Sequence, residues 1–383
     1  LEEIFTGSFF AKKERIKKFY TELFRAIPFF SDQEGDTINL HQVRVAFLAS
    51  ALGAEILEAN RILMFLAGLY HDLGAVGASL HPVRAFSLSD YFVDPWLANH
   101  PLRSAQILRK FDRLKPVASI VVEHHEWYDG GGFPFKKKAG EILPEAQALR
   151  ITDSFDAAML LTGRIDEALK LLEKKASREF DGDLYSIFKH FIKTNDFEFL
   201  WHQPQTALEL AISQLESIKI LFDDSEIFCL LKAFDVKRYP QPGHTRRVRD
   251  LVALISAEIG YVQPDALIRA ATVHEVYTVY EPYKGSYLGA VDKKEVLEYF
   301  ELLSEAFADL EKDPFVSELV YAVCYVDRKL SHYETGLSEE DFLDVLSYLN
   351  GRVNPEVLLA INRVLKEHSE SIYKDMIKRR RLL

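Results

Sequence analysis

The sequence predicts an all-α protein, a multi-helix bundle carried in two copies. Three observations support this. Apolar residues recur at i, i+3, i+4 spacing along most of the chain, alternating strand-like runs are scarce, and one helical pattern with the same histidine spacing occurs twice.

Residues 41–58 (HQVRVAFLASALGAEILE) place Val45, Leu48, Ala49, Leu52 and Ile56 on one stripe. Residues 60–70 make a second apolar helix that ends at His71-Asp72. Residues 101–111, 115–124, 145–161 and 165–175 share the periodicity. Residues 81–101 hold Pro82, Pro95 and Pro101 and read as irregular. Residues 129–140 (DGGGFPFKKKAG) form a glycine-rich basic loop, which cannot continue a helix. Residues 223–225 and 239–243 (YPQPG) punctuate the second half, and 378–381 (KRRR) read as a solvated helix end where cations suit the dipole.

At about 150 residues per domain, 383 residues suggest two to three domains. Hydrophobic residues at 48% and charged residues at 27% exclude general disorder. A net charge of −11 argues against binding a nucleic-acid polymer, whose phosphates need a Lys/Arg surface, but leaves room for a small phosphorylated ligand held by metal ions. Two cysteines, Cys229 and Cys324, cannot make a disulfide framework, so a reducing, cytoplasmic setting is expected. No apolar run approaches the ~18 residues of a membrane span. Residues 1–6 carry no signal-peptide pattern, and a chain beginning with Leu suggests that an upstream piece precedes it.

The repeat reads H-x-x-R-V at His41, Arg44 and Val45, reaching His71-Asp72, and again at His244, Arg247 and Val248, reaching His274-Glu275. Both second histidines lie thirty residues after the first. A later helix in each copy holds an aspartate, Asp153 and Asp327, which are expected to correspond. The expected domains are residues 1–200 and 220–383. The second copy lacks a counterpart of residues 101–140, has no His-His pair, and is expected to be a degenerate structural or regulatory unit.

Of the 12 histidines, six fall between residues 41 and 125. His41, His71, His100, His124 and His125, with Asp72 and Asp153, are the ligand types of iron, manganese or zinc. Helices can point such side chains into a common core. Five imidazoles and two carboxylates exceed one ion's needs, so two metals with a bridging carboxylate are expected.

These residues resemble a known pattern. H-(x29)-HD, His100-Pro101, HHEWYDGGGFP at residues 124–134 and ITDSFDA at residues 151–157 are similar to the HD-GYP family, with Gly132-Phe133-Pro134 where that family has Gly-Tyr-Pro. The resemblance covers about residues 41–190. It implies a helical, metal-dependent phosphodiesterase that hydrolyses cyclic di-GMP with two or three metals, often iron or manganese. It assigns the metal ligands to His41, His71, Asp72, His100, His124, His125 and Asp153, with Asp72 as the catalytic bridging carboxylate. Thr37 stands where some members carry a glutamate for a third metal, so a binuclear site is expected.

Two departures bear on substrate. The family's HD-x-G-K lysine is Ala75 here, and its RPYR-like stretch is LLTGRI, where only Arg164 is basic. Arg164, Lys136 and Lys137, with Lys138 beside them, are the candidate phosphate-binding cations. Asp129, Gly132, Phe133 and Pro134 are read as loop residues, with Asp129 fixing the loop or a ligand histidine. The expected chemistry is attack on phosphorus by a hydroxide shared between two metals. The alternatives are another phosphoester substrate, or a metal-binding signalling scaffold without turnover, with a signalling protein or a second copy as partner.

Overall fold

The computed structural model describes residues 9–34, 37–76, 78, 82–84, 94–218, 224–235, 243–278, 291–292, 296–331 and 339–372. The structure is all-α, as expected. In chain order the helices are α1 (Phe9–Ser31), α2 (His41–Ile56), α3 (Arg61–Tyr70), α4 (Pro95–Leu108), α5 (Lys115–Val121), α6 (Pro144–Thr162), α7 (Ile165–Glu173), α8 (Gly182–Thr194), α9 (Phe199–His202), α10 (Pro204–Ser217), α11 (Asp224–Asp235), α12 (His244–Glu258), α13 (Pro264–Thr278), α14 (Glu301–Lys312), α15 (Pro314–Ser331), α16 (Glu339–Leu349) and α17 (Pro355–Ile372). Among the described residues the strands are two residues each: Gln33–Glu34, Thr37–Ile38 and Val291–Asp292, paired antiparallel in that order. The basic run at 378–381 and most of 81–93 lie outside the described residues, as does His332.

The chain divides into two compact units. One comprises residues 23–222 with 280–299; the other comprises 1–22, 223–279 and 300–383. Against the expected domains of residues 1–200 and 220–383, the first 22 residues group with the later unit and residues 280–299 with the earlier one.

In the earlier unit α2 packs on α3 and α6. Gly68 permits the first contact: a Cβ there would lie 2.5 Å from Ala46 Cα, so only glycine lets the two backbones approach this closely. That approach carries the end of α3, and with it His71, toward the start of α2, where His41 sits. Local signals set the helix limits. Asn60 caps α3 by accepting from Ile62 N and Leu63 N, and Gly163, left-handed at φ 66, ends α6.

Residues 95–101 correct the expectation of an irregular segment. Pro95 occupies the first turn of α4, where its missing N–H is no loss, and Asp94 caps it through Trp96 N. Pro101 lies inside the helix, with a compensation described below.

In the later unit, α12, α13, α15, α16 and α17 enclose a core that includes Leu251, Ile255, Leu319, Val323 and Ile361. His244 begins α12 after a left-handed Gly243 (φ 94), as His41 begins α2 after a left-handed Leu40 (φ 63). Leu40 has a Cβ and is fully buried, so this conformation is held there by the surrounding packing.

Candidate metal centre

Seven side chains predicted from sequence converge in the core of the earlier unit. His41 starts α2, His71-Asp72 follow α3, His100 lies on α4, His124-His125 follow α5, and Asp153 lies on α6. All are buried, none more than 7% exposed. Three overlapping groups have donor atoms within 4.8 Å of one another: His41 with His71 and Asp153, His71 with Asp72 and His124, and His100 with His124 and His125.

Asp72 stands between two sets. Its Oδ2 lies 3.6 Å from His41 Nε2 and 3.3 Å from His71 Nε2. Its Oδ1 lies 3.1 Å from His100 Nε2 and 3.9 Å from His124 Nε2. Asp153 Oδ1 is 3.4 Å from His41 Nε2 and 3.9 Å from His71 Nε2. His100 Nε2 lies 3.2 Å from His124 Nε2 and 3.1 Å from His125 Nε2.

The ring orientations have a common origin. A helix end leaves its last carbonyls without a following N–H. His71 Nδ1 donates to Gly68 O (2.7 Å), and His124 Nδ1 donates to Val121 O (2.6 Å), both in the last turn of a helix. His100 lies in mid-helix, yet its Nδ1 donates to Leu97 O at 2.6 Å. Leu97 is the residue whose carbonyl an N–H at position 101 would have taken, and position 101 is proline. His41 Nδ1 donates to Asp156 Oδ2 at 2.7 Å. In each case the occupied Nδ1 leaves Nε2 aimed inward as an acceptor, the tautomer a metal ligand requires.

His125 differs. Arg150 Nη1 donates to its Nδ1 (3.0 Å) and to Asp153 Oδ2 (3.1 Å), while Arg150 Nη2 donates to Glu179 (2.6 Å). The His125 ring proton therefore sits on Nε2, and ligation through that nitrogen requires the proton to leave.

Electrostatics favour the ligating forms of Asp72, Asp153 and His124, while the surrounding carboxylates hold His41 toward its protonated form. Burial opposes ionisation of Asp72, but His71, His100 and His41 hold its carboxyl well below the ordinary carboxylate range. Asp153 is held low in the same way by His41, His71 and Arg150. Burial, reinforced by the neighbouring imidazoles and, at His125, by Arg150, pushes His124 and His125 well below the usual histidine value and keeps them neutral. Against burial, Asp153, Asp156 and Asp72 raise His41 well above it. His71 Nε2 and both Asp72 oxygens find no hydrogen-bond geometry among the described residues, although all three are buried. Acceptor atoms gathered without donors fit divalent cations.

Several functional residues escaped the sequence reading. Asp156 accepts from His41, from Arg44 Nε and Nη2, and from Trp201 Nε1 (2.9 Å). Its signal was present: it stands one helical turn after Asp153, and Arg44 stands three residues after His41. Glu126 is buried and accepts from the backbone N–H groups of Phe135 and Lys137 (2.8 Å), which pins the glycine-rich loop.

The loop itself is well fixed. Asp129 Oδ1 accepts from Gly131 N at 2.7 Å. Gly132 is required by close approach, because a Cβ would lie 2.3 Å from both His125 O and Trp127 N. Phe133 stacks on the His125 ring, centroids 4.9 Å apart and planes at 12°, and the Phe133–Pro134 peptide is cis.

The proposed phosphate-binding cations are placed differently from expectation. The Lys137 ammonium is tied to Glu123, whose second oxygen accepts from Leu143 N (2.9 Å). Lys136 is exposed at the loop tip in a left-handed turn (φ 58). Arg164 is exposed just beyond the end of α6, three turns from Asp153, or about 16 Å along the axis. None of these three joins the buried cluster. Asp327 also departs from expectation. It accepts from His244 Nδ1 (2.7 Å) and from Arg247 Nε, which is the arrangement of Asp156 with His41 and Arg44, not that of Asp153.

Comparison with known proteins agrees with this geometry. Residues 34–184 match the HD domain family, whose members bind divalent metal. The 3′3′-cGAMP-specific phosphodiesterase 3 of Vibrio cholerae serotype O1 (strain ATCC 39315 / El Tor Inaba N16961) is 28% identical over 156 residues, 39% of this chain and 34% of the relative. The match thus spans about a third of that relative's length. The crystal structure of a cyclic GMP-AMP-specific phosphodiesterase of V. cholerae (V-cGAP3) is similar at a TM-score of 0.56 and 18% identity, over 91% of this chain and 97% of that one. This likeness establishes the fold. Among the described residues, no helix is long and apolar enough to cross a membrane.

Proposed function

We propose that the HD domain of this chain is a phosphodiesterase that holds two divalent ions, iron or manganese by class, and cleaves a cyclic dinucleotide. The observation that carries this reading is the division of the two Asp72 oxygens between His41 with His71 on one side and His100 with His124 on the other. His41, His71, Asp153 and Asp72 Oδ2 would hold one ion. His100, His124, His125 and Asp72 Oδ1 would hold the other. When bound, the ions supply Lewis-acid stabilisation of phosphoryl charge and activation of water.

The chain's own residues set the conditions for that chemistry. Backbone carbonyls and Asp156 hold four imidazoles in the ligating tautomer. Asp72 and Asp153 are ionised and buried. Phe133 covers one face of His125, and Glu126 holds the loop that carries it. The V. cholerae relative's specificity makes 3′3′-cGAMP the first substrate to compare with cyclic di-GMP.

Elemental analysis of anaerobically purified protein, with chromatographic assay of 3′3′-cGAMP, cyclic di-GMP and cyclic di-AMP, tests the proposal. Two metal equivalents with turnover of a cyclic dinucleotide are expected, and replacing His124 and His125 together by Ala removes at least one equivalent. Metal-loaded protein inert toward the whole panel would instead support a signalling scaffold. That second reading draws on one observation: Lys137 is engaged by Glu123 while Ala75 offers no cation.

A further inference from the structure

The later unit contains a second convergence of metal-ligating atoms. His244 at the start of α12, His274 on α13 and Cys324 on α15 place one donor atom each within 4.8 Å of the others, all buried. His244 Nε2 and His274 Nε2 are 3.2 Å apart. Glu275 Oε1 lies 3.6 Å from the first and 3.3 Å from the second. A tetrahedral ion with bonds of about 2.0–2.1 Å to nitrogen and oxygen has ligand–ligand edges of roughly 3.3–3.4 Å. The three separations fall close to that edge.

The rings are oriented as in the first cluster. His244 Nδ1 donates to Asp327 Oδ2 (2.7 Å) and His274 Nδ1 donates to Ala271 O (2.6 Å), so both Nε2 atoms turn inward. Asp327 is therefore a positioning residue. Cys324 stands three residues before it, as Asp153 stands three before Asp156. A thiol thus occupies the place of a carboxylate.

We propose that His244, His274 and Cys324, with Glu275 as fourth ligand, bind one thiophilic divalent ion of the zinc class. The set is two imidazoles, one thiolate and one carboxylate. Sulfur separates its metal preference from that of the all-nitrogen-and-oxygen first cluster. Its ligands come from three helices, so the ion would cross-link α12, α13 and α15. The site stands independently of the proposed phosphodiesterase activity.

Cobalt(II) is the probe, because a thiolate ligand gives it a near-ultraviolet charge-transfer absorption that imidazole and carboxylate do not. The full chain carries Cys229→Ser throughout, so that any thiolate absorption belongs to Cys324. Chelator-stripped protein is titrated with cobalt(II), and zinc content is measured in parallel. The expected result is a charge-transfer band that saturates at one equivalent. In Cys324→Ser, which differs by one atom, the band disappears and bound zinc falls by one equivalent per chain. A cobalt-saturated protein without a thiolate band would overturn the proposal, as would Cys324→Ser retaining its full zinc complement.

Discussion

Leu97 O accepts a hydrogen bond from His100 Nδ1 at 2.6 Å, and the carbonyl is available because Pro101 has no N–H to offer it. Proline inside a helix normally costs about 3 kcal/mol against alanine. Here the freed carbonyl fixes the histidine tautomer, which gives the His-Pro pair a physical reason. Pro101→Ala supplies a competing backbone N–H. Its expected effect is a higher melting temperature together with metal affinity about tenfold weaker, at the low end for loss of a ligand's supporting partner. Chelator competition and thermal melting measure both, and unchanged affinity would show that the carbonyl does not orient the ring.

Asp156 is the common acceptor for His41, Arg44 and Trp201, and neither Arg44 nor Asp156 is exposed. Asp156→Ala leaves a buried guanidinium without its carboxylate. Breaking a buried pair by removing one partner costs about 3–5 kcal/mol. Urea denaturation should find a loss of that order, with a clear loss of metal because His41 Nδ1 loses its acceptor. A change below about 1 kcal/mol would mean that water or a rearranged Asn39 replaces the carboxylate.

The candidate metal ligands could be picked out in the sequence because chemistry restricts such residues to a few types at set helical spacings, and the fold brings them together. Their supporting partners could not be picked out. Gly68 O, Leu97 O and Val121 O are backbone atoms, and any residue carries one. Asp156 was overlooked because an aspartate three residues after another looks like a solvated face until α2 is packed against α6. The same gap misassigned Asp327 and hid Cys324. The cations failed for another reason: charge and loop position suggested that Lys137 meets phosphate, but tertiary packing placed Glu123 beside it. Helix limits were read well except at Pro95, where a capping aspartate made a proline a helix start.

Glu126 holds the loop through two backbone N–H groups. Glu126→Ala leaves both without an acceptor, at about 1–3 kcal/mol for each if they remain buried. Hydrogen exchange should accelerate at Phe135 and Lys137 by at least tenfold while exchange in α2 stays unchanged. Equal acceleration throughout would mean that the substitution unfolds the domain and does not free the loop. Lys137→Met serves as the comparison: it removes the cation without touching its own N–H, and should leave kcat/KM within about twofold.

Ala75 offers the sharpest test of substrate grip. It lies in the turn immediately after Asp72, its N–H donating to Asp72 O at 2.8 Å, and is only 6% exposed. A lysine introduced there has a long apolar stem that can lie along the protein while the ammonium reaches outward, as lysine does at partly buried positions. A charge-assisted hydrogen bond to a phosphate oxygen contributes about 1.5–3 kcal/mol. At about 1.4 kcal/mol per tenfold, that corresponds to roughly ten- to a hundredfold. Arg164 and Lys136 are exposed away from the cluster and Lys137 is engaged, so the first cluster has no cation among these three that the introduced ammonium would duplicate. Ala75→Lys should therefore raise kcat/KM toward the preferred cyclic dinucleotide by at least tenfold with metal content unchanged. The gain should fall mainly on kcat if the contact forms as charge builds on phosphorus, and on KM if it forms in the bound ground state. Steady-state kinetics beside elemental analysis separates these outcomes from a simple clash, which would lower metal content and activity together. Full metal with no kinetic gain would show that the phosphate is already met by another group and that Ala75 is not a deficit.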